Sequence, residues 1–464
     1  MNTNNKLKKR VLTALIPFIL MFTTIKVNAA TPFSNLVAKS AILAEADSGA
    51  VLYSFNMRST HPADALSRAM TLLLAVIACE NGTLREDMLL TMTESAWENV
   101  SSGDASQNIL PGEAMTVRDL MYSAYIGGDY TACNLLAERI AGSTVKFVDM
   151  MNQHAVELGC ENTNFTNPHG RYHDGHYTTA IDQFNIYRGA MTHPLFAEIS
   201  GTYRHTTAST NAADPRRLVS SNSLLNANGK YYLNSCLSGI TSATFEGGYS
   251  MVAYAESDGL SLIAVVLGSD DIILEDESSL LRNLSETKRL FEWGFSEFGW
   301  RTILSSGELI EKAAVAKGDG SDFVNLRPES SITLLLDKSI SLEDFTKTIT
   351  IYSVRDGEEL CAPITAGDVL GEITLSRTGV EYGPILLLAN TDVDLHRLES
   401  MKIQIAAILS SSVAKIIITV LFLLFAGYIA LVVRYNILKS RQRRRIKEVK
   451  EKLIAERQKN GGGD

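Results

Sequence analysis

The chain has 464 residues, 45% of them hydrophobic, with 52 acidic residues against 43 basic ones and a formal net charge of −9. The charge is unevenly spread. The two basic ends leave an interior of roughly −20, which excludes binding of nucleic acid or other polyanions by bulk electrostatics. Five cysteines (Cys79, Cys133, Cys160, Cys236, Cys361) are scattered without metal spacing, so they read as mostly buried thiols rather than a disulfide framework.

At the N-terminus, Lys6, Lys8, Lys9 and Arg10 precede a largely apolar run from Val11 to Val27, and Val27-Asn28-Ala29 supplies small residues for cleavage. Residues 1–29 therefore read as a secretion signal. The mature part opens with two apolar runs around Asp47-Ser48-Gly49, from Ser40 to Tyr53, which predicts a β-hairpin. Asp64 is placed to N-cap a helix from Ala65 to about Cys79, ended by Asn81-Gly82. Leu66, Met70, Leu73, Leu74 and Ile77 recur at helical spacing and should face the core.

Thr116 introduces a helix from Val117 to Tyr125, and Asp129 precedes another from Thr131 to Ala141. Ser143 caps a third from Thr144 to Leu158. Met251–Tyr254 and Leu260–Leu267 predict paired central strands about a turn at Ser257-Asp258-Gly259, and a helix from Leu281 to Phe298 closes the first domain, 30–298. From 299 to 392 the pattern changes to short alternating runs (Ser331–Leu336, Thr348–Tyr352, Val369–Leu375, Gly383–Leu388), which predicts a small β-sandwich.

Residues 393–412 form a juxtamembrane spacer. Ile416 to Val433 carries no charge and, with Val413-Ala414 and Lys415, is long enough to cross a bilayer, giving a membrane helix at 413–434. Arg434, Lys439, Arg441, Arg443, Arg444, Arg445 and Lys447 follow. The positive-inside rule makes 435–464 a basic cytoplasmic tail and puts the bulk of the chain outside a single-pass cell membrane protein.

The most telling stretch is Pro62-Ala63-Asp64-Ala65-Leu66-Ser67-Arg68-Ala69-Met70-Thr71. It resembles the Ser-x-x-Lys segment of the penicillin-binding D-alanyl-D-alanine carboxypeptidases, the low-molecular-weight penicillin-binding protein family of serine peptidases. Asn167-Pro168-His169-Gly170, Gly175-His176-Tyr177-Thr178-Thr179-Ala180 with Asp182, and Ser285-Glu286-Thr287-Lys288-Arg289 carry the same resemblance, which covers nearly the whole outer chain. It implies an α/β penicillin-binding-protein/β-lactamase-like transpeptidase domain, followed by the small all-β domain and the C-terminal membrane helix. It also implies an ancestral activity that removes the terminal D-alanine from peptidoglycan stem peptides through an acyl-serine.

The residues that perform this chemistry in the family are replaced. At the positions of the nucleophile and its base stand Ala65 and Arg68. A methyl group cannot attack a carbonyl, and a guanidinium does not give up its proton near neutral pH. Where the family reads Ser-Gly-Asn, the chain reads Gly128, Asp129 and Tyr130. The Lys-Thr-Gly strand becomes Thr241, Ser242 and Ala243, without a cation for the substrate carboxylate and with a methyl group narrowing the strand edge. In other hydrolases, loss of the nucleophile or base alone costs on the order of a millionfold in turnover.

Substitute nucleophiles are poorly placed. Ser67 lies two residues beyond Ala65, pointing roughly 200° away around a helix. Ser143–Lys146, Ser285–Lys288 and Ser412–Lys415 match Ser-x-x-Lys only formally. His169, His173 and His176 lie close together, but no cysteine or carboxylate set completes a metal shell, so neither metal nor cofactor is expected. The chain reads as a pseudoenzyme that binds or scaffolds in envelope processes. Its partners would be peptidoglycan stem peptides or wall-synthesis and division proteins, and no nucleic acid. The alternative is an active carboxypeptidase using Ser67 or Ser242.

Overall fold

The structure, a computed structural model, describes residues 33, 36–98, 100, 107–270, 272–273 and 279–459. The expected secretion signal lies outside them. The chain divides into two compact units, one running to Arg301 and taking in Leu335–Ile340, the other formed by Thr302–Leu334 and the chain from Ser341 onward.

The first unit is built on a five-stranded sheet. Its strands are β1 (Ser40–Glu45), β2 (Val51–Phe55), β3 (Cys236–Thr244), β4 (Gly248–Ser257) and β5 (Leu260–Ser269). They lie in the order β2-β1-β5-β4-β3, antiparallel throughout. The hairpin over Ser40–Tyr53 and the paired strands about Asp258-Gly259 form as expected, and those two turn residues adopt φ of 51° and 73°. Both are left-handed, as a tight hairpin between right-twisted strands requires.

Successive residues of a strand point to opposite faces, and here both faces are covered. Ile42 and Ala44 join one core with Val252, Ile263 and Val265, under the helical layer. Ala41 and Leu43 join a second core with Met251, Ala253 and Val266, against the closing helix. Burial on both sides explains why these strands read as unbroken apolar runs instead of alternating ones.

The helical layer contains α1 (Arg68–Glu80), α2 (Val117–Tyr125), α3 (Tyr130–Ala141), α4 (Thr144–Glu157) and α5 (Ala180–Met191), and α6 (Arg282–Glu297) closes the unit. Thr116, Asp129, Ser143 and Thr179 each accept a backbone N–H at the start of α2 to α5. Helix α1 is buried nearly all round: Ala69 to Val76 and Ala78 are all inaccessible, and only Ile77 among the expected core residues is half-exposed. A helix apolar on every side belongs at the centre of a domain, and α1 therefore fixes whatever stands at its head.

The expected capping role of Asp64 does not hold. Asp64–Ser67 form a 3₁₀ turn, the α-helix begins at Arg68, and no side chain caps either segment. Asp64 has φ of +43°, whereas an N-cap takes extended dihedrals. Its carboxylate is turned across the domain, as described below.

The second unit is β-rich. Strands β6 (Glu311–Ala314), β7 (Phe323–Pro328), β8 (Thr346–Ile351), β9 (Val369–Arg377) and β10 (Val380–Ala389) form an antiparallel sheet in the order β6-β7-β10-β9-β8. Beyond it come α7 (Arg397–Ser410) and α8 (Ser412–Lys459). Helix α8 contains the uncharged run and is long and apolar enough to cross a membrane. It continues without a break into the basic segment.

Candidate active site

The head of α1 is held from two sides. On one, residues 166–176 wrap over it: Thr71 Oγ1 donates to the carbonyl of Pro168 at 2.5 Å, and Ala63 N–H donates to that of His176 at 3.1 Å. Asn167 shapes this loop by accepting from the N–H groups of Gly170 (2.7 Å) and Arg171 (3.1 Å). Gly170, at φ of +86°, has no room for a side chain, because a Cβ would collide with the Asp64 carbonyl. His169 and His176 play scaffold parts. Nδ1 of His169 accepts from Arg171 N–H at 3.2 Å, and Nδ1 of His176 accepts from Thr166 N–H at 3.0 Å. Burial pushes these imidazoles down to about 3 and about 4 respectively, so both are neutral near neutral pH.

On the other side lies the free edge of β3. Ser242 is buried, and its Oγ accepts from the backbone N–H of Ala65 at 3.3 Å. Two residues on, Thr244 Oγ1 donates to Asp64 Oδ2 at 2.6 Å. The second carboxylate oxygen, Oδ1, is buried without a partner among the described residues. Burial raises the Asp64 carboxyl above its ordinary range, the Thr244 hydrogen bond opposes the shift, and Glu246 adds to it. Thr241 is half-buried and Ala243 exposed; strand alternation turns both to the face opposite Ser242.

Arg68 is half-buried and lies back along its own turn, with Nε donating to the Ala65 carbonyl at 3.2 Å. Its guanidinium occupies the space beside Gly128: a Cβ built there would stand 2.5 Å from Nη1. Gly128 is left-handed at φ of +67°. The next residue, Asp129, is held by its own surroundings. It is fully buried and accepts from Ala132 N–H (3.0 Å), Thr131 Oγ1 (2.5 Å) and Gln107 N–H (2.7 Å). Tyr130 stacks on His169 with ring centroids 4.3 Å apart and planes 12° from parallel.

Of the residues singled out in the sequence, the fold thus gathers Ala65, Arg68, Gly128 and Ser242 at one point, with Tyr130 beside them through His169. Sequence reasoning missed three contacts here: Asp64 with Thr244, Tyr130 with His169, and Asp129 with Gln107. Only the first carried a signal, since period-two alternation from Ser242 puts Thr244 on the same face.

The formal motif matches are explained by ordinary structure. Ser143 Oγ caps α4 by accepting from Lys146 N–H, Ser285 Oγ donates to the Arg282 carbonyl, and Lys288 Nζ donates to that of Tyr232. Ser67 is fully buried and donates to the Asp64 carbonyl at 2.8 Å. The cysteines are all unpaired, and burial pushes the Cys133 and Cys236 thiols each up to about 12, far from a reactive thiolate. Among the described residues no group of three His, Cys, Asp or Glu could hold a metal ion.

A central antiparallel sheet, a buried helix whose first turn meets the sheet's edge strand, and a loop closing over both define a penicillin-binding-protein/β-lactamase-like fold. Solved structures share it. Penicillin binding protein 5 from Haemophilus influenzae superposes with a TM-score of 0.54 at 24% identity, over 77% of this chain and 98% of that one. A peptidoglycan synthesis regulatory factor (PBP3) from Streptococcus pneumoniae gives 0.55 at 21% identity, over 77% and 100%. In sequence, residues 25–271 match the family profile of Peptidase_S11, D-alanyl-D-alanine carboxypeptidase. The D-alanyl-D-alanine carboxypeptidase DacF of Bacillus subtilis is 30% identical over 343 residues, 74% of this chain and 82% of that protein. DacA of Escherichia coli is 28% identical over 76% of this chain and 83% of that protein. The chain belongs to the D-alanyl-D-alanine carboxypeptidase family.

Proposed function

We propose that this family member is a pseudoenzyme: a membrane-anchored, cell-wall-facing protein that binds or scaffolds in peptidoglycan processes without cleaving stem peptides. The observation that carries this reading is the state of Ala65. Its side chain offers no nucleophile, and its N–H, at the helix head where an oxyanion would be stabilised, already donates to Ser242 Oγ. Arg68, in the place of the base, is a permanent cation spent on the Ala65 carbonyl. Asp129 supports the reading as well, since its carboxylate serves as a helix cap and not as a substrate contact.

The anchoring part rests on α8, and the orientation on the basic residues from Arg434 to Lys447 that follow the apolar run. The test is D-alanine release from a stem pentapeptide by the full chain in detergent micelles. No release above the rate of an unrelated membrane protein is expected. Turnover that disappears in Ser242→Ala or Ser67→Ala would instead establish an active enzyme with a substitute nucleophile.

A further inference from the structure

Helix α8 does not stop where its uncharged run does. From Arg434 to Ala455 it continues without a glycine or a proline, and every residue of that stretch is exposed. Fixing the orientation of a span needs only the first few basic residues beyond it. The extension carries a pattern as well. At 100° per residue, Tyr435, Leu438, Ile446, Val449 and Leu453 fall within an arc of about 80°. Gln442 lies inside that arc, and Lys439 stands at its edge with Nζ 5.6 Å from the centre of the Tyr435 ring. Only Ile437 and Ile454 among the large apolar residues of the extension lie off it.

Charge is sorted about the same stripe. With Ile446 and Leu453 at a and Val449 at d of a heptad, Arg443 and Lys450 border the seam at e, and Arg445 and Lys452 at g. The two acidic residues of the extension, Glu448 and Glu451, fall on the back. An apolar seam walled on both sides by cations restricts what can cover it.

An anionic bilayer is out of reach. With nothing to bend at, α8 carries Ile446 about 18 Å and Leu453 about 28 Å beyond Arg434 along its axis. The seam also has the narrow width of a coiled-coil contact rather than the broad face of a helix lying in an interface. A second copy, anchored at the same end, meets this helix in parallel and sets Arg445 against Lys450, and like charges at g and e oppose that pairing. The complementary surface is a helix with its own apolar seam bordered by carboxylates.

Resting on the proposed anchoring and orientation, we infer that the extension of α8 docks an acidic amphipathic helix of a cytoplasmic protein. The partner's apolar seam packs on Ile446, Val449 and Leu453, and its carboxylates meet Arg443 and Lys450 on one side and Arg445 and Lys452 on the other.

The test titrates the full chain, in phosphatidylcholine nanodiscs, with a four-heptad peptide carrying leucine at a and d and glutamate at e and g; empty discs give the baseline. Binding is expected to weaken on the order of tenfold or more in the triple variant Ile446→Gln, Val449→Gln, Leu453→Gln. In the variant Arg443→Glu, Arg445→Glu, Lys450→Glu, Lys452→Glu, preference should pass to the matched peptide with lysine at e and g, a gain that requires an intact helix. Unchanged binding in the triple variant, or unchanged preference after charge reversal, overturns the inference. Loss of binding in phosphatidylserine discs overturns it in favour of the membrane surface. A dimer of the full chain in micelles that the triple variant abolishes overturns it in favour of a second copy. Protease access to the C-terminus in intact cells is read separately. Cleavage from outside sinks the orientation but not the docking surface, and a protected tail that binds no peptide sinks only the docking.

Discussion

Around Ala65 most polar groups are turned inward and meet partners in the protein itself: the N–H Ser242, the carbonyl Arg68, and one oxygen of the neighbouring carboxylate Thr244, while Asp64 Oδ1 is buried without a partner among the described residues. Around Glu138, a few residues along α3 from Tyr130, three carboxylates (Glu98, Glu138 and Asp149) line a cavity that no lysine or arginine lines among the described residues. Groups that hydrogen-bond within the protein hold the helix head in place, whereas charge on exposed walls rests against solvent. The comparison separates the part of the unit whose polar groups face one another from the part whose polar groups face solvent.

Substitutions sharpen this contrast, and the largest effects belong to the scaffold. Gly170→Ala sets a methyl group onto the Asp64 carbonyl at a left-handed position; a loss of about 3 kcal/mol is expected in denaturant unfolding of the full chain. Asp129→Ala removes the cap of α3 and the hydrogen bond that the Gln107 N–H donates to it, for about 2 kcal/mol by the same measurement. Ser242→Ala leaves the Ala65 N–H unpartnered at a cost of about 1 kcal/mol and should leave penicillin reactivity unchanged. A fall in reactivity would identify Ser242 as a working nucleophile.

The smallest effect concerns pH. The folded-state pKa of Asp64 is raised, so the folded protein holds this proton more tightly than the unfolded chain does. The stabilisation is fully present below the unfolded carboxyl value and is lost as pH rises through the folded one. Asp64→Asn should therefore flatten that fall in unfolding free energy. A parallel curve for the variant would show that Asp64 does not set the slope.

Much of this was legible because it is local. The caps Thr116 and Ser143, the core stripe of α1 and the hairpin at Asp258-Gly259 depend on neighbours within a few residues, and each reads directly from the pattern. Asp64 was misread for the converse reason. An acidic residue before an apolar helical run is the ordinary signature of an N-cap, but its conformation is set by Thr244, 180 residues away, and by the close approach of Gly170. In the second unit, β6 and β7 escaped notice because Glu311–Ala314 is short and polar and Phe323–Pro328 ends in proline. The motif positions could be read as replaced groups. Their new employment, as a cap, a stack and a filler beside Gly128, needed the three-dimensional arrangement.

The central claim is that the head of α1 no longer forms an acyl-enzyme. Intact-mass spectrometry of the full chain in micelles, after prolonged exposure to a fluorescent penicillin, tests it most directly. The account predicts an unmodified mass and no fluorescent band. A stoichiometric adduct on any serine, mapped by peptide digestion, would contradict it.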